Sequence, residues 1–261
     1  MQTMRSPGAL AALLVASLTP LPTCAAVRVG LGIEQYRWQE TFPSGAAADR
    51  EAGARETLFL RDSVVLSPHL SVALASKLAF GHPAYTGQTQ AGVPISLSTT
   101  NVGIDSALLG VWHGAFLGQV ADYALGLGYN LWDRDLHNPA GGDQLETWKV
   151  IYARAGLEVF QHRQSGWHAG ADLIYPLRVT EDIHLTALGG DANPALSPGR
   201  TVGYRLTLGY RFRHWDLSGS WQHQAYSRSA PVAVSFSGMP ATVYQPRSVN
   251  DLYGVALAYR F

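Results

Sequence analysis

The sequence predicts an all-β protein, a single closed antiparallel barrel of ten strands that cross a membrane. Three observations predict it. Apolar residues alternate with small or polar ones over stretches of ten to thirteen residues. The connections between these stretches are alternately short and long. The chain also stops on a strand, "DLYGVALAYRF", in which Tyr253, Val255, Leu257, Tyr259 and Phe261 share one phase and Gly254, Ala256, Ala258 and Arg260 the other. Period-2 alternation over such lengths is a strand signal. Strands of soluble proteins run about 5–6 residues, whereas a tilted strand needs about 9–11 to cross a bilayer. In hydrocarbon an open sheet edge would leave backbone groups unpaired, so the sheet must close.

Composition agrees. Charged residues make up 15% of the 261 residues, against roughly 25% in an average soluble domain. Aromatics reach 10%, and there are 27 glycines. The formal net charge is zero, which gives no sign of a nucleic-acid or strongly acidic partner. No interior window approaches the ~18 apolar residues of a spanning helix.

The first 26 residues read as a cleaved signal peptide. Arg5 is the positive start, "ALAALLVASL" (Ala9 to Leu18) the apolar centre, and Pro20 and Pro22 break it before the small residues of "TCAAV". Cleavage is expected after Ala25 or Ala26. A membrane-anchoring helix fails on length. Cys24 raises acylation, but Pro22 and Thr23 are poor neighbours for that signal. The only cysteine therefore leaves with the leader, which suits an oxidising compartment. The mature chain, 27–261, retains 18 basic and 19 acidic residues.

Taken in order, "VRVGLGI" sets Val27, Val29, Leu31 and Ile33 in one phase. Leu58 to Leu66 follows, interrupted by Arg61 and Asp62. "LSVALASKLAF" carries Leu70, Val72, Leu74, Leu78 and Phe80 opposite Ser71, Ala73, Ala75 and Lys77. Val102 to Trp112 is a weaker case. "QVADYALGLGYNL" carries Tyr123, Leu125, Leu127, Tyr129 and Leu131 against Asp122, Ala124, Gly126, Gly128 and Asn130. Trp148 to Phe160 precedes "WHAGADLIYPL", where Trp167, Leu173, Tyr175 and Leu177 oppose His168, Gly170 and Asp172. "YRLTLGYRFRHW" sets Tyr204, Leu206, Leu208, Tyr210 and Phe212 against Arg205, Arg211 and Arg213. Trp215 to Gln224 and the terminal strand complete ten. The broken alternation near Arg61, and a further hairpin in "PVAVSFSG", leave eight or twelve as alternatives.

Short turns are expected near Ser67–His69, His113–Phe116, His162–Gly166 and His214–Asp216. Long loops are expected at "ETFPSGAAADREAGARE", "GHPAYTGQTQAGVPISLSTT", "HNPAGGDQLE", "EDIHLTALGGDANPALSPG" and "SRSAPVAVSFSGMPATVYQP". That rhythm belongs to bacterial outer-membrane barrels, whose short turns are periplasmic and long loops extracellular. Trp112, Trp167 and Trp215 fall beside short turns, and Trp38, Trp132 and Trp148 beside long loops, as two interfacial girdles would. The parity of Trp132 and Trp148 also admits an inward position.

The tail "YGVALAYRF" resembles the C-terminal strand of bacterial outer-membrane β-barrel proteins, a group whose smaller members are porin-like. The resemblance implies an outer-membrane location, contact with the lipid bilayer, and recognition of the strand ending in Phe261 by the barrel-assembly machinery.

The inward phase contains Lys77, Asp105, Asp122, Arg154, Glu158, His168, Asp172, Arg205, Arg211, Arg213, Asp216 and Arg260. Such a lumen either lines a selective pore or fills itself with ion pairs. A ten-stranded barrel is little wider than the eight strands that side chains just fill, so a filled, porin-like or structural barrel is expected. A loop-mediated adhesin or receptor is the alternative. Asp133 and Asp135, with Asp182 and His184, resemble the rim pairs of the omptin outer-membrane proteases, which position a water, although the first pair sits one hairpin later than in that family. "HQAYSRS" (His223 to Ser229) has the residue types of barrel lipases without their spacing. No catalytic, cofactor-binding or metal residues are assigned: the nine histidines are scattered, and "GLGYN" and "GVPISLS" open no helix that would cradle phosphate.

Overall fold

The computed structural model describes residues 25–88, 93–137 and 143–261. Most of the expected leader, including Arg5 and Cys24, lies outside the described residues, as do parts of the second and third long connections. Ala25 and Ala26, the expected cleavage positions, stand at the start of the first strand.

Ten strands form the barrel: β1 (Ala25–Thr41), β2 (Ala47–Ser67), β3 (Leu70–Gly81), β4 (Pro94–Phe116), β5 (Gln119–His137), β6 (Gln144–Phe160), β7 (Gly166–Ile183), β8 (Gly203–Phe212), β9 (Trp215–Ser227) and β10 (Arg247–Arg260). Each pairs antiparallel with its sequence neighbours, and β1 also pairs with β10 from Arg28↔Arg260 to Thr41↔Arg247. The sheet is thereby closed and has no free edge. The Phe261 N–H completes the seam, donating to the Val27 carbonyl at 2.9 Å.

The parity read from the sequence holds through the apolar band of the outer face. Leu125, Leu127, Leu173, Leu206, Leu208 and Leu257 are 43–69% exposed on the outer face, while Asp122, Asp172, Arg205 and Arg211 point inward. Inward glycines make room for aromatic rings on the next strand. Gly30 pairs with Phe59, and Gly128 with Tyr152. In both pairs a Cβ on the glycine would overlap the ring.

Four features differ from expectation. Leu58 to Leu66 is part of the 21-residue β2 despite its irregular alternation, because Arg61 belongs to the inward phase. The first long loop is a tight turn between Thr41 and Ala47, with Gly45 at φ +86°. "ADREAGARE" is strand, so β1 and β2 rise well past the apolar band. Arg213 is exposed in the β8–β9 turn at φ +54° rather than lining the lumen. The Trp girdle divides. Trp112, Trp167 and Trp215 are exposed beside short turns, but Trp38, Trp132 and Trp148 are buried inside. The upper outer girdle is instead Tyr129, Tyr175, Tyr204, Trp221 and Tyr253, with Trp221 in edge contact with Tyr204 at 5.1 Å.

Above the barrel, a short strand (Ala84–Gln88) pairs with both β2 and β4. "VAVSF" and "MPATV" form a separate hairpin (Val232–Phe236 with Met239–Val243) around Ser237 and Gly238, both at positive φ, as a tight two-residue hairpin turn requires. Its Val234 and Val243 pack on Ile183, Leu185 and Leu196 at the top of β7.

Candidate functional site in the barrel lumen

The inward side chains form two distinct regions. The upper one lies where the outer face has already changed from apolar to charged: Asp133, Lys149 and Asp182 stand outside at this height. Trp38 (β1), Trp132 (β5), Trp148 (β6) and Tyr226 (β9) come from four strands and meet across the lumen. Trp132 stacks on Trp148 at 5.2 Å and 11°, and Trp38 and Tyr226 contact Trp148 at 5.0 and 5.3 Å. Rings this close add about 0.5–1.5 kcal/mol per pair beyond their burial.

Around these rings stand five buried carboxylates, Glu40, Asp49, Glu51, Glu146 and Glu181, and one buried guanidinium, Arg134. Arg134 donates to Glu51 at 2.9 Å through Nε, and to Glu146 at 2.7 Å and Glu40 at 3.2 Å through Nη1. Its guanidinium also lies 4.9 Å from the Trp38 ring. Glu40 accepts further bonds from Trp38 Nε1 and Gln245 Nε2. Neither oxygen of Glu181 has a partner. Burial, reinforced by neighbouring carboxylates, holds Asp49 and Glu181 well above the usual carboxylate range. Burial also pushes Glu146 up to about 7, against the pull of Arg134. Burial opposes the charge on Arg134, but Glu146, Glu51 and Glu40 outweigh it and keep the guanidinium charged. This layer can bind and release protons while it obstructs the lumen.

One step lower, Arg55 bonds Glu34 at 2.5 Å and Asn101 at 2.6 Å and lies over the Tyr36 ring. Lys77 reaches the other Glu34 oxygen at 2.8 Å. Beneath is a cavity of about 240 Å³. Arg154 grips Asp172 with two bonds of 2.8–2.9 Å, and Asp105 accepts from Tyr152 and Arg205. Toward the short turns, Asp216 accepts from Arg28 at 2.9 Å and Arg211 at 3.0 Å, and His168 Nε2 lies 3.0 Å from it. His168 Nδ1 is 3.0 Å from Glu158, close enough to attract but off the hydrogen-bond direction. Asp122 closes this end with His113 and Arg163 at 2.7 and 2.8 Å.

No family model matches the chain, and no curated protein does. Solved structures share its architecture. It is similar to the outer membrane protease OmpT from Escherichia coli, with a TM-score of 0.57 and 10% identity over 94% of this chain and 99% of that one. It is also similar to the translocator domain of the autotransporter NalP from Neisseria meningitidis, with a TM-score of 0.50 and 12% identity over 97% of this chain and 94% of that one. The fold is that of an outer-membrane β-barrel.

Within that barrel, the lumen residues expected from parity, from Lys77 to Arg260, lie inside with the exception of Arg213. The omptin-like pairs do not face one another across it. Asp133 and Asp135 alternate with the inward Trp132, Arg134 and Leu136, and Asp182 alternates with the inward Glu181 and Ile183. On the outside, Asp133 accepts from Thr147 at 2.7 Å, and Asp182 pairs with Lys149. The pairs thus flank β6 on its outer surface. Asp135, His137 and Asp143 can place ligand atoms within 4.8 Å of one another at the rim, a grouping that sequence reasoning missed because Asp143 comes from the far side of the loop, just before β6. Sequence reasoning also missed the whole upper layer. The signal was present in "EQYRWQE", where Glu34, Tyr36, Trp38 and Glu40 continue the inward phase of β1 beyond its apolar part.

Proposed function

We propose that the chain is exported behind a cleaved leader (1–26) and resides in the bacterial outer membrane as a porin-like or structural barrel (27–261) whose lumen is closed at rest. The observation that carries this is the layer of Trp38, Trp132, Trp148 and Tyr226, in mutual contact across the barrel. A second layer at Arg55 and the ion pairs below reinforce it. Both termini then lie in the periplasm, and the folded hairpins project outside the cell.

Planar-bilayer recording tests the proposal. The refolded wild-type barrel is expected to give no steady open-channel current. Replacing Trp38, Trp148 and Arg55 together by Ala is expected to produce one, since both closing layers then lose their largest side chains. A steady ohmic current through the wild-type barrel would overturn the closed-lumen reading.

The receptor alternative draws support from the outer hairpin, which is folded against β7 and exposes Met239. Binding to whole cells after deletion of 232–243 tests it. The protease alternative is weaker, because its two pairs lie on the outer wall one strand apart rather than across a cleft.

A further inference from the structure

Among the described residues, the cavity below the Arg55 layer holds one cation that makes no ion pair. Arg61 projects into it from β2. Among the described residues, Lys77, Arg154 and Arg205 each have a carboxylate within 3.4 Å, and Arg28 has Asp216. Among the described residues, Arg61 has no hydrogen bond and no carboxylate within ion-pair distance, although Glu158 and Asp122 attract it from farther off. Its directly opposed residue on β1 is another cation, Arg28, whose Nε is buried without an acceptor. Like charges directly opposite on paired strands are destabilising, and a desolvated charge without a partner is costly. Conflicts of this kind between local pairing and global fold concentrate at functional sites.

We propose that Arg61 is the binding site for a small monocarboxylate taken into the lumen cavity. A carboxylate is planar and accepts two parallel N–H bonds from one guanidinium, which fits a fork that nothing else engages. A cavity of about 240 Å³ lies below the roughly 300–1,000 Å³ of sites for drug-sized ligands, which favours a small solute. Phe59, Ala107 and Leu109 on the same wall give its carbon skeleton an apolar surface. Asp122 and Glu158 also border the cavity and oppose any anion there, a dianion about twice as strongly as a monoanion, which favours a monoanion over phosphate or a dicarboxylate. The assignment concerns what the cavity holds and does not depend on whether solutes pass the aromatic layer.

The test uses the mature chain refolded in detergent micelles in carboxylate-free buffer, with propionate, propionamide and inorganic phosphate as probes in ligand-detected saturation-transfer NMR. Propionate is expected to bind saturably, propionamide not at all, and phosphate at least tenfold more weakly. Arg61→Leu is expected to weaken propionate at least tenfold, and Arg61→Lys, which keeps the charge without the fork, to fall between. Because Arg61→Leu also removes the opposed charge, its unfolding midpoint without ligand is expected to rise, and propionate should raise the midpoint of the wild type only. Equal binding by wild type and Arg61→Leu would overturn the site. A lowered midpoint or failure to fold in Arg61→Leu would make Arg61 a structural residue. Phosphate binding as tight as propionate would overturn the monocarboxylate assignment.

Discussion

Arg134 decides the behaviour of the upper lumen because it is the one cation among five buried carboxylates. It neutralises part of their charge, gives Glu40, Glu51 and Glu146 a shared donor, and covers the Trp38 ring. Removing one partner from a buried ionic network leaves uncompensated charge and typically costs about 3–5 kcal/mol. Arg134→Leu is therefore expected to lower the unfolding free energy by that amount in urea titrations of the micelle-bound barrel. Glu146 sets the pH response. Its folded-state value of about 7 lies above the ordinary 4.5, so the barrel binds this proton more tightly than the unfolded chain does. The stability linked to it is full below about 4.5 and is lost as the pH rises through 7. The thermal midpoint is expected to fall between pH 5 and pH 8, and Glu146→Gln, which cannot titrate, to flatten that fall. A midpoint difference unchanged in Glu146→Gln would remove Glu146 from this role.

The strands carry two chemistries on one backbone because successive side chains leave opposite faces. On β5, Tyr123, Leu125, Leu127, Tyr129 and Leu131 face out, while Asp122, Gly128, Trp132 and Arg134 face in. Leu127 stands at the middle of the outer run, where an Arg on the lipid face costs about 2–4 kcal/mol. Leu127→Arg is expected to destabilise the bilayer-folded barrel by that amount. Cysteines placed singly at Leu127 and Leu208 should react with a lipid-partitioned maleimide and resist a water-soluble one; the reverse pattern would turn the strands inside out. Alternation persists above the membrane, where the outer face becomes Asp133, Lys149 and Asp182. That persistence explains why the upper strands enclose buried charge rather than dissolving into loops.

At the scale of the whole molecule, closure of β1 on β10 fixes the barrel, and the chain terminus takes part in it. The Phe261 N–H bonds Val27, but its ring is 75% exposed and touches Tyr259 in an edge contact at 4.9 Å. A well-packed Phe→Ala costs about 3–5 kcal/mol, and a ring this exposed should cost less. Phe261→Ala is accordingly expected to refold in micelles to a heat-modifiable band. If the terminal ring also serves as an assembly signal, the same variant should accumulate in the periplasm or be degraded in cells. Normal outer-membrane levels of Phe261→Ala would reduce the ring to ordinary packing.

The sequence by itself determined the all-β class and the outward leucines, and favoured ten strands over eight or twelve, because strand periodicity is local and the bilayer imposes one polarity along each strand. It also contained the inward charges from Lys77 to Arg260, since they occupy the phase opposite the leucines. It did not reveal that Trp38, Trp132 and Trp148 meet in the lumen, that Arg134 gathers Glu40, Glu51 and Glu146, or that Arg61 faces Arg28 with no ion pair of its own. Those contacts join residues far apart in the sequence, Trp38 and Trp148 among them, and depend on the register of neighbouring strands and on closure, which alternation leaves open. The outward turn of Asp133 and Asp182 was decided the same way. A motif of residue types says what chemistry is available, and only the pairing of strands says which groups share a space.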